Sequence, residues 1–186
     1  MNKRFNVLIL IVFLLPFLSA CSTIDISGLE NFRKETCSVE LTANLYPSDD
    51  FLSRFHYEKG SYRYIDKDDW QYGDVLAISH LTYTPEIYKK AKEFSLSNLT
   101  FCKEHSYECN GYTFTELFCH TVTDEHGVRC NYPKHFNMLA YNDESCTLVF
   151  LGYYNGDPNA EEKVLALSDF GSFLETVYSD YFDFGT

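Results

Sequence analysis

The stretch that decides the fold is Cys109-Asn110-Gly111-Tyr112-Thr113-Phe114-Thr115-Glu116-Leu117-Phe118-Cys119. A two-residue hairpin turn needs positive φ at both central positions, and Asn followed by Gly tolerates this well. The rings and threonines after the turn suit a pleated, half-buried surface. With Asn110-Gly111 as the turn, Cys109 faces Tyr112, Tyr107 faces Phe114 and Cys102 faces Cys119 across the pair. Segments near 98–108, 112–123, 128–132, 136–142 and 146–154 read as strands, separated by this turn and by Asp124-Glu125-His126-Gly127, Tyr132-Pro133 and Asn142-Asp143-Glu144-Ser145. Strands joined by short turns imply an antiparallel meander.

Upstream, Val39, Leu41, Ala43 and Leu45 alternate with polar residues in the period of a half-buried strand, which Pro47 ends. Tyr62 and Tyr64 alternate with Arg63 and Ile65 before an acidic turn, Asp66-Lys67-Asp68-Asp69, and a strand follows through Val75 to Ile78. Thr84-Pro85-Glu86 has the form of a helix start, with a capping hydroxyl, a proline whose missing N–H is not needed there and an acid at the positive end. Ile87, Ala91 and Phe94 fall on one face and carry that helix to about Ser95. Downstream, Asn155-Gly156-Asp157-Pro158 reads as a turn, Val164–Leu167 as a short apolar strand and Ser168-Asp169 as a helix cap. Phe170, Phe173, Leu174, Val177, Tyr178 and Tyr181 then recur at intervals of three and four, the pattern of an amphipathic helix. The fold class this implies is α+β: a meander-like antiparallel sheet packed against two helices and stabilised by disulfides.

The first residues read as targeting. Lys3 and Arg4 precede an apolar run from Val7 to Leu18, too short to span a bilayer, which ends at Ser19, Ala20 and Cys21. Leu18-Ser19-Ala20-Cys21 resembles the lipobox of bacterial lipoproteins, in which the cysteine is lipidated and becomes the mature N-terminus. That resemblance covers the signal alone. It implies a signal peptide at 1–20, a lipid on Cys21 and, because Ser22 follows instead of Asp, a place in the outer membrane facing the periplasm or the surface. Several acyl chains hold stably where one is marginal. Residues 21–35, polar with Gly28 in their middle, read as a lipidated tether, and 36–186 as one globular domain.

Cleavage removes 20 of the 186 residues and leaves 166, a length that suits one core. At 45% hydrophobic and 17% aromatic residues the chain is too apolar for disorder. The formal charge of −12 loses two cations with the signal, giving −14, a field that repels nucleic acid and draws cationic partners, although solubility at a crowded membrane surface is the plainer explanation of the same charge. The expected partners are the membrane, through the anchor, and a cationic protein. Six cysteines remain beside Cys21: Cys37, Cys102, Cys109, Cys119, Cys130 and Cys146. An even number outside the cytoplasm suggests disulfides, although six allow 15 pairings. The hairpin register suits a Cys102–Cys119 bridge, while closure of the Cys102–Cys109 segment is the competing arrangement.

No Gly-x-Ser-x-Gly elbow, Ser-x-x-Lys pair or Cys-x-x-Cys motif is present. His120 and His126 with Asp124 and Glu125 form the densest polar cluster, and read as a solvated turn more naturally than as a base with its carboxylate. Cys119, His120, His126 and Cys130 lack zinc spacing. Asp66, Asp68, Asp69 and Asp74 lack the glycine and the closing glutamate of a calcium loop. The expected metal and cofactor content is therefore none. Arg54, Tyr57, Tyr62, Arg63, Tyr64, Trp70 and Tyr72 crowd one stretch; strand packing explains most such stripes, and a binding face for sugar or protein is the sharper alternative. These features favour a non-enzymatic protein-binding module of the envelope, similar in profile to anchored lysozyme inhibitors and immunity lipoproteins. The alternatives are an assembly accessory of the outer membrane, or a cell-wall or lipid hydrolase using His120 or His126.

Overall fold

In a computed structural model of the chain the described residues are 22–38, 47–69, 72–98, 106–123, 129–155 and 164–182. Seven strands form one antiparallel sheet: β1 (Ser22–Ser27), β2 (Lys59–Asp69), β3 (Tyr72–Thr82), β4 (Ser106–Cys109), β5 (Tyr112–Thr123), β6 (Arg129–Asn142) and β7 (Thr147–Asn155). Their order is β1-β2-β3-β7-β6-β5-β4. Two meanders therefore meet at the β3–β7 seam, and the chain crosses from β3 to the far edge through a helix before winding back. The helices are α1 (Leu29–Ser38), α2 (Asp49–Arg54), α3 (Pro85–Asn98) and α4 (Gly171–Phe182), with a 3-10 turn at Val164–Leu167. None of them is long and apolar enough to cross a membrane.

The α+β class and the antiparallel sheet are as the sequence implies, and the register of the deciding hairpin is too. Cys109 pairs with Tyr112 and Tyr107 with Phe114. Asn110 and Gly111 take φ of 51° and 79°, the positive values that a type I′ turn demands of both central residues. Helices α3 and α4 stand close to the two that periodicity marks.

Burial on both faces of the sheet is what the sequence reading underestimates. Val75, Ala77, Leu81, Leu148, Phe150 and Leu139 point to one face, under Phe32 of α1, Phe51 and Leu52 of α2 and Tyr88 and Ala91 of α3. Leu76, Ile78, Val149, Leu151, Met138 and Phe114 point to the other, under Val164, Leu165, Phe170, Leu174 and Val177. Among the described residues four helices, not two, cover the sheet. Helices α1 and α2 escape periodicity because they are short and anchored by few residues. Ser48 caps α2, its Oγ accepting from Phe51 N at 3.2 Å, and Arg33 of α1 pairs with Asp49 of α2. Helix α3 is tied to the β6–β7 turn through Asp143, which accepts from Tyr88 Oη at 2.5 Å and Lys92 Nζ at 2.6 Å.

Four other expectations change. The segment expected as a tether holds β1, paired with β2 from Ser22↔Asp68 to Ser27↔Arg63, and α1, whose Phe32 is buried. The acidic run at 66–69 is the end of β2 and not a turn. Tyr132-Pro133 lies inside β6, where the β5–β6 pairing shifts register between Thr121↔Lys134 and Thr123↔Arg129. That irregularity accommodates a residue with no N–H to give the ladder. Val164–Leu167 forms a 3-10 turn in place of a strand, with Val164 N donating to Asp74 Oδ2 at 2.8 Å. The signal, Cys21, the strand read at 39–45, Cys102, the 124–127 turn and residues 156–158 lie outside the described residues.

The expected disulfides find no support among the described residues. Cys109 and Cys146 are free thiols, and they pack against the clusters on opposite faces of the sheet. Such positions exclude a bridge between the two.

Candidate functional site

The aromatic stretch chosen from sequence does not make one exposed face. Tyr62 and Tyr64 alternate onto the same side of β2, where they are buried in the core at 6% and 2% exposure. Arg63 faces the opposite side, and its Nη1 donates to Leu167 O at 2.7 Å. Tyr57 is half-buried and meets the Tyr62 ring edge-on, with centroids 6.3 Å apart. Arg54, at the end of α2, lies 4.6 Å from the Phe94 ring centroid, a cation–π contact with α3. Tyr72 opens β3 opposite Asp69, and Trp70 lies outside the described residues. The stripe is strand packing plus helix cladding.

The polar candidates are dispersed as well. His120 occupies β5 opposite His135 of β6. His126, Asp124 and Glu125 lie outside the described residues. Asp74 is buried on β3, whereas Asp66 is half-buried on β2. No group of three or more His, Cys, Asp or Glu among the described residues is placed to hold a metal ion.

A different site emerges where α4 begins. An open groove of about 600 Å³ is lined by Cys109 and Asn110 of the hairpin turn and, across from them, by Ala166, Ser168–Phe173 and Thr176. Local chemistry shapes its wall. Ser168 Oγ donates to Leu165 O at 2.8 Å and accepts from Phe170 N at 3.3 Å, and Gly171 N donates to Ser168 O at 3.1 Å. A Cβ at Gly171 would stand 2.8 Å from Ala166 O, so the tight passage from 3-10 turn to helix requires glycine.

Aromatic rings fix the groove to the sheet. The Phe170 ring lies 5.0 Å from Phe114 and 5.5 Å from Tyr112, edge to face in both cases, and stacks on His80 at 5.7 Å. Phe173 packs on Phe114 at 4.6 Å and on Tyr107 at 5.9 Å. A cluster of this kind holds α4 against the β4–β5 hairpin without any covalent link.

The electrostatics are one-sided. Among the described residues of the lining Asp169, at the exposed rim, is the one that carries a charge, and no Lys, Arg or His accompanies it there. Burial lowers the pKa of His80 below that of a free imidazole, with the Asp169 charge opposing part of the effect, so the ring is neutral at neutral pH. Burial also raises the Cys109 thiol. A reactive cysteine needs the opposite shift, because the thiolate is the nucleophile. The groove thus offers hydroxyls, one carboxylate and ring edges, which suits recognition of an apolar or cationic group better than nucleophilic chemistry.

Sequence reasoning identified Ser168-Asp169 as a cap and Asn110-Gly111 as a turn without joining them. Their apposition spans the whole second meander, and periodicity carries no signal for a contact at that separation. No family model, curated protein or solved structure matches the chain.

Proposed function

We propose that this chain is a lipid-anchored protein of the bacterial cell envelope that binds another protein without catalysing a reaction, as an inhibitor or immunity-type module does. The lipid sits on Cys21, in the outer membrane, and the folded part works on the periplasmic or surface side. The α4 groove is the contact surface. One observation carries the reading: an open, ring-floored groove whose one charged lining residue, among those described, is Asp169, on a chain of charge −12. Such a surface attracts a basic partner over the Debye length and receives an inserted side chain or loop of that partner.

Disulfides belong to the same proposal. The pairing of Tyr107 with Phe114 and of Cys109 with Tyr112 agrees with the hairpin register from which a Cys102–Cys119 bridge is expected, and supports it to that extent. A bridge there would staple the hairpin that forms one wall of the groove. Peptide mapping without reduction should recover a Cys102–Cys119 linked pair, with Cys109 and Cys146 still alkylatable.

Affinity capture from envelope extract tests the function. The lipidated chain in detergent should retain a basic protein at low salt and release it as salt rises. Asp169→Lys and Thr176→Arg, both at exposed positions of the groove, should weaken retention at least tenfold with the thermal transition unchanged. Retention of no basic protein, or retention indifferent to both substitutions, overturns the proposal.

A further inference from the structure

The groove opens beside an edge of the sheet. Strand β4 stands last in the strand order, and among the described residues none pairs with its outer side. The hairpin fixes which backbone groups that side presents. A two-residue turn closes on a hydrogen-bonded pair, here Cys109 with Tyr112, and along an antiparallel ladder such pairs alternate with non-hydrogen-bonded ones. Cys109 and Tyr107 therefore direct their N–H and C=O groups inward to β5. Ser106 and Glu108 direct theirs outward, in the row that a further strand needs.

Side chains alternate in step with the backbone. Tyr107 and Cys109 are half-buried on the α4 side, Tyr107 with its ring 5.9 Å from that of Phe173 and Cys109 in the groove lining. Ser106 and Glu108 are exposed on the other face, where Glu108 Oε1 accepts from Thr113 Oγ1 at 2.7 Å. A strand laid along β4 would pair its backbone with Ser106 and Glu108 and set its intervening residues opposite Tyr107 and Cys109. Those are non-hydrogen-bonded positions, where facing Cα atoms stand about 4.5 Å apart, so the residue opposite Cys109 has its side chain at the groove.

We infer that the β4 edge and the groove form one site, which takes an extended, basic segment of the partner protein as an added strand and lodges a cationic side chain beside Asp169. This rests on the reading of the groove as the contact surface and adds the form in which the partner presents itself. In strand addition the main-chain bonds supply affinity and the alternate side chains specificity. Charge argues against the other strand of this kind, the β4 of a second copy. A two-fold pairing would gather both copies of Glu108 and Asp169 at one short interface between chains of charge −12.

The probe is a fluorescein-labelled six-residue peptide in which arginine and threonine strictly alternate, titrated at low salt against the chain in detergent and followed by anisotropy. Asp169→Lys should weaken its binding at least tenfold. N-methylation of the threonines, whose N–H groups face β4, should do the same, whereas N-methylation of the arginines, whose N–H groups face water, should cost less than threefold. Glu108→Pro removes an outward N–H and no bond of the hairpin, so it should also weaken binding at least tenfold with the thermal transition little changed, while Glu108→Gln stays within threefold. Bound peptide should slow hydrogen exchange at the amides of Ser106 and Glu108 and leave those of Tyr107 and Cys109 as they were. No binding, or equal sensitivity to both N-methylated peptides, overturns strand addition. So does a loss confined to the arginine series, which would turn the cations away from the groove, and so does a dimer of the chain that Glu108→Pro abolishes. Capture of a basic envelope protein that Asp169→Lys abolishes and Glu108→Pro spares overturns the added strand and leaves the groove reading intact.

Discussion

Asp74 holds a carboxylate inside the protein at 2% exposure, and its Oδ2 accepts the backbone N–H of Val164 at 2.8 Å. Nearby, Asn155 Nδ2 donates to Tyr153 Oη at 3.0 Å, and burial followed by the Asp74 charge pushes the Tyr153 hydroxyl well above its ordinary range. Asp74→Ala strips the acceptor from a buried amide and should destabilise the chain by about 2 to 3 kcal/mol in urea unfolding, while loss below about 0.5 kcal/mol would mean the amide finds another acceptor. His80 gives a pH signature. Its folded pKa lies below the unfolded value of 6.5, so below that value the unfolded chain binds a proton that the native chain resists. The stability His80 contributes is present above pH 6.5 and lost as pH falls through the lowered native value. Wild type should lose more thermal stability between pH 7 and pH 5 than His80→Phe does, and equal losses would remove His80 as a source. Sequence alone places Asp74 in a solvated acidic run and gives His80 no role. Their environments come from residues 90 positions away in one case and from the groove wall in the other.

Among the elements, those with a strong local code are the ones the sequence makes legible. The Asn110-Gly111 hairpin, the Thr84-Pro85 helix start and the three-and-four spacing after Phe170 each state their geometry within a dozen residues. Elements set by distant packing are not legible in this way. Val164–Leu167 is apolar enough to pass for a strand, yet Asp74 and the sheet beneath it draw the segment into a 3-10 turn. Pro133 reads as a break, but the register shift in the β5–β6 pairing lets β6 run through it. Among the described side chains of helix α1 the buried one is Phe32, too little for periodicity to reveal. The groove depends on such a non-local junction at Gly171. A methyl group there meets backbone, which cannot swing away as a side-chain tip would. Gly171→Ala should therefore destabilise the chain by about 1 to 3 kcal/mol in chemical unfolding. It should also shift the amide resonances of Asn110 and Gly111 across the groove, and a spectrum unchanged at those residues would show that the 3-10 turn moves independently of the hairpin.

On the scale of the whole molecule, both faces of the sheet are roofed, and the roof over β2 is built partly from residues that composition assigns to a tether. The ring of Phe32 sits 5.6 Å from that of Tyr62, and β1 pairs along half of β2. The polar segment 22–35 nevertheless holds an edge strand paired with β2 and a helix that buries Phe32, so low hydropathy there marks the periphery of a core and not its absence. Truncation separates the two meanings. A chain beginning at Ser22 should unfold at the temperature of the chain that keeps the residues before it. One beginning at residue 36 loses the Phe32 contact, worth about 3 to 5 kcal/mol by analogy with Phe-to-Ala changes in cores, and the edge strand with it. It also bares the backbone of β2 as an open edge, which invites strand pairing between chains. The shorter chain should melt at a markedly lower temperature and scatter light on warming. If instead both truncations melt together and stay monomeric, residues 22–35 contribute nothing to the fold.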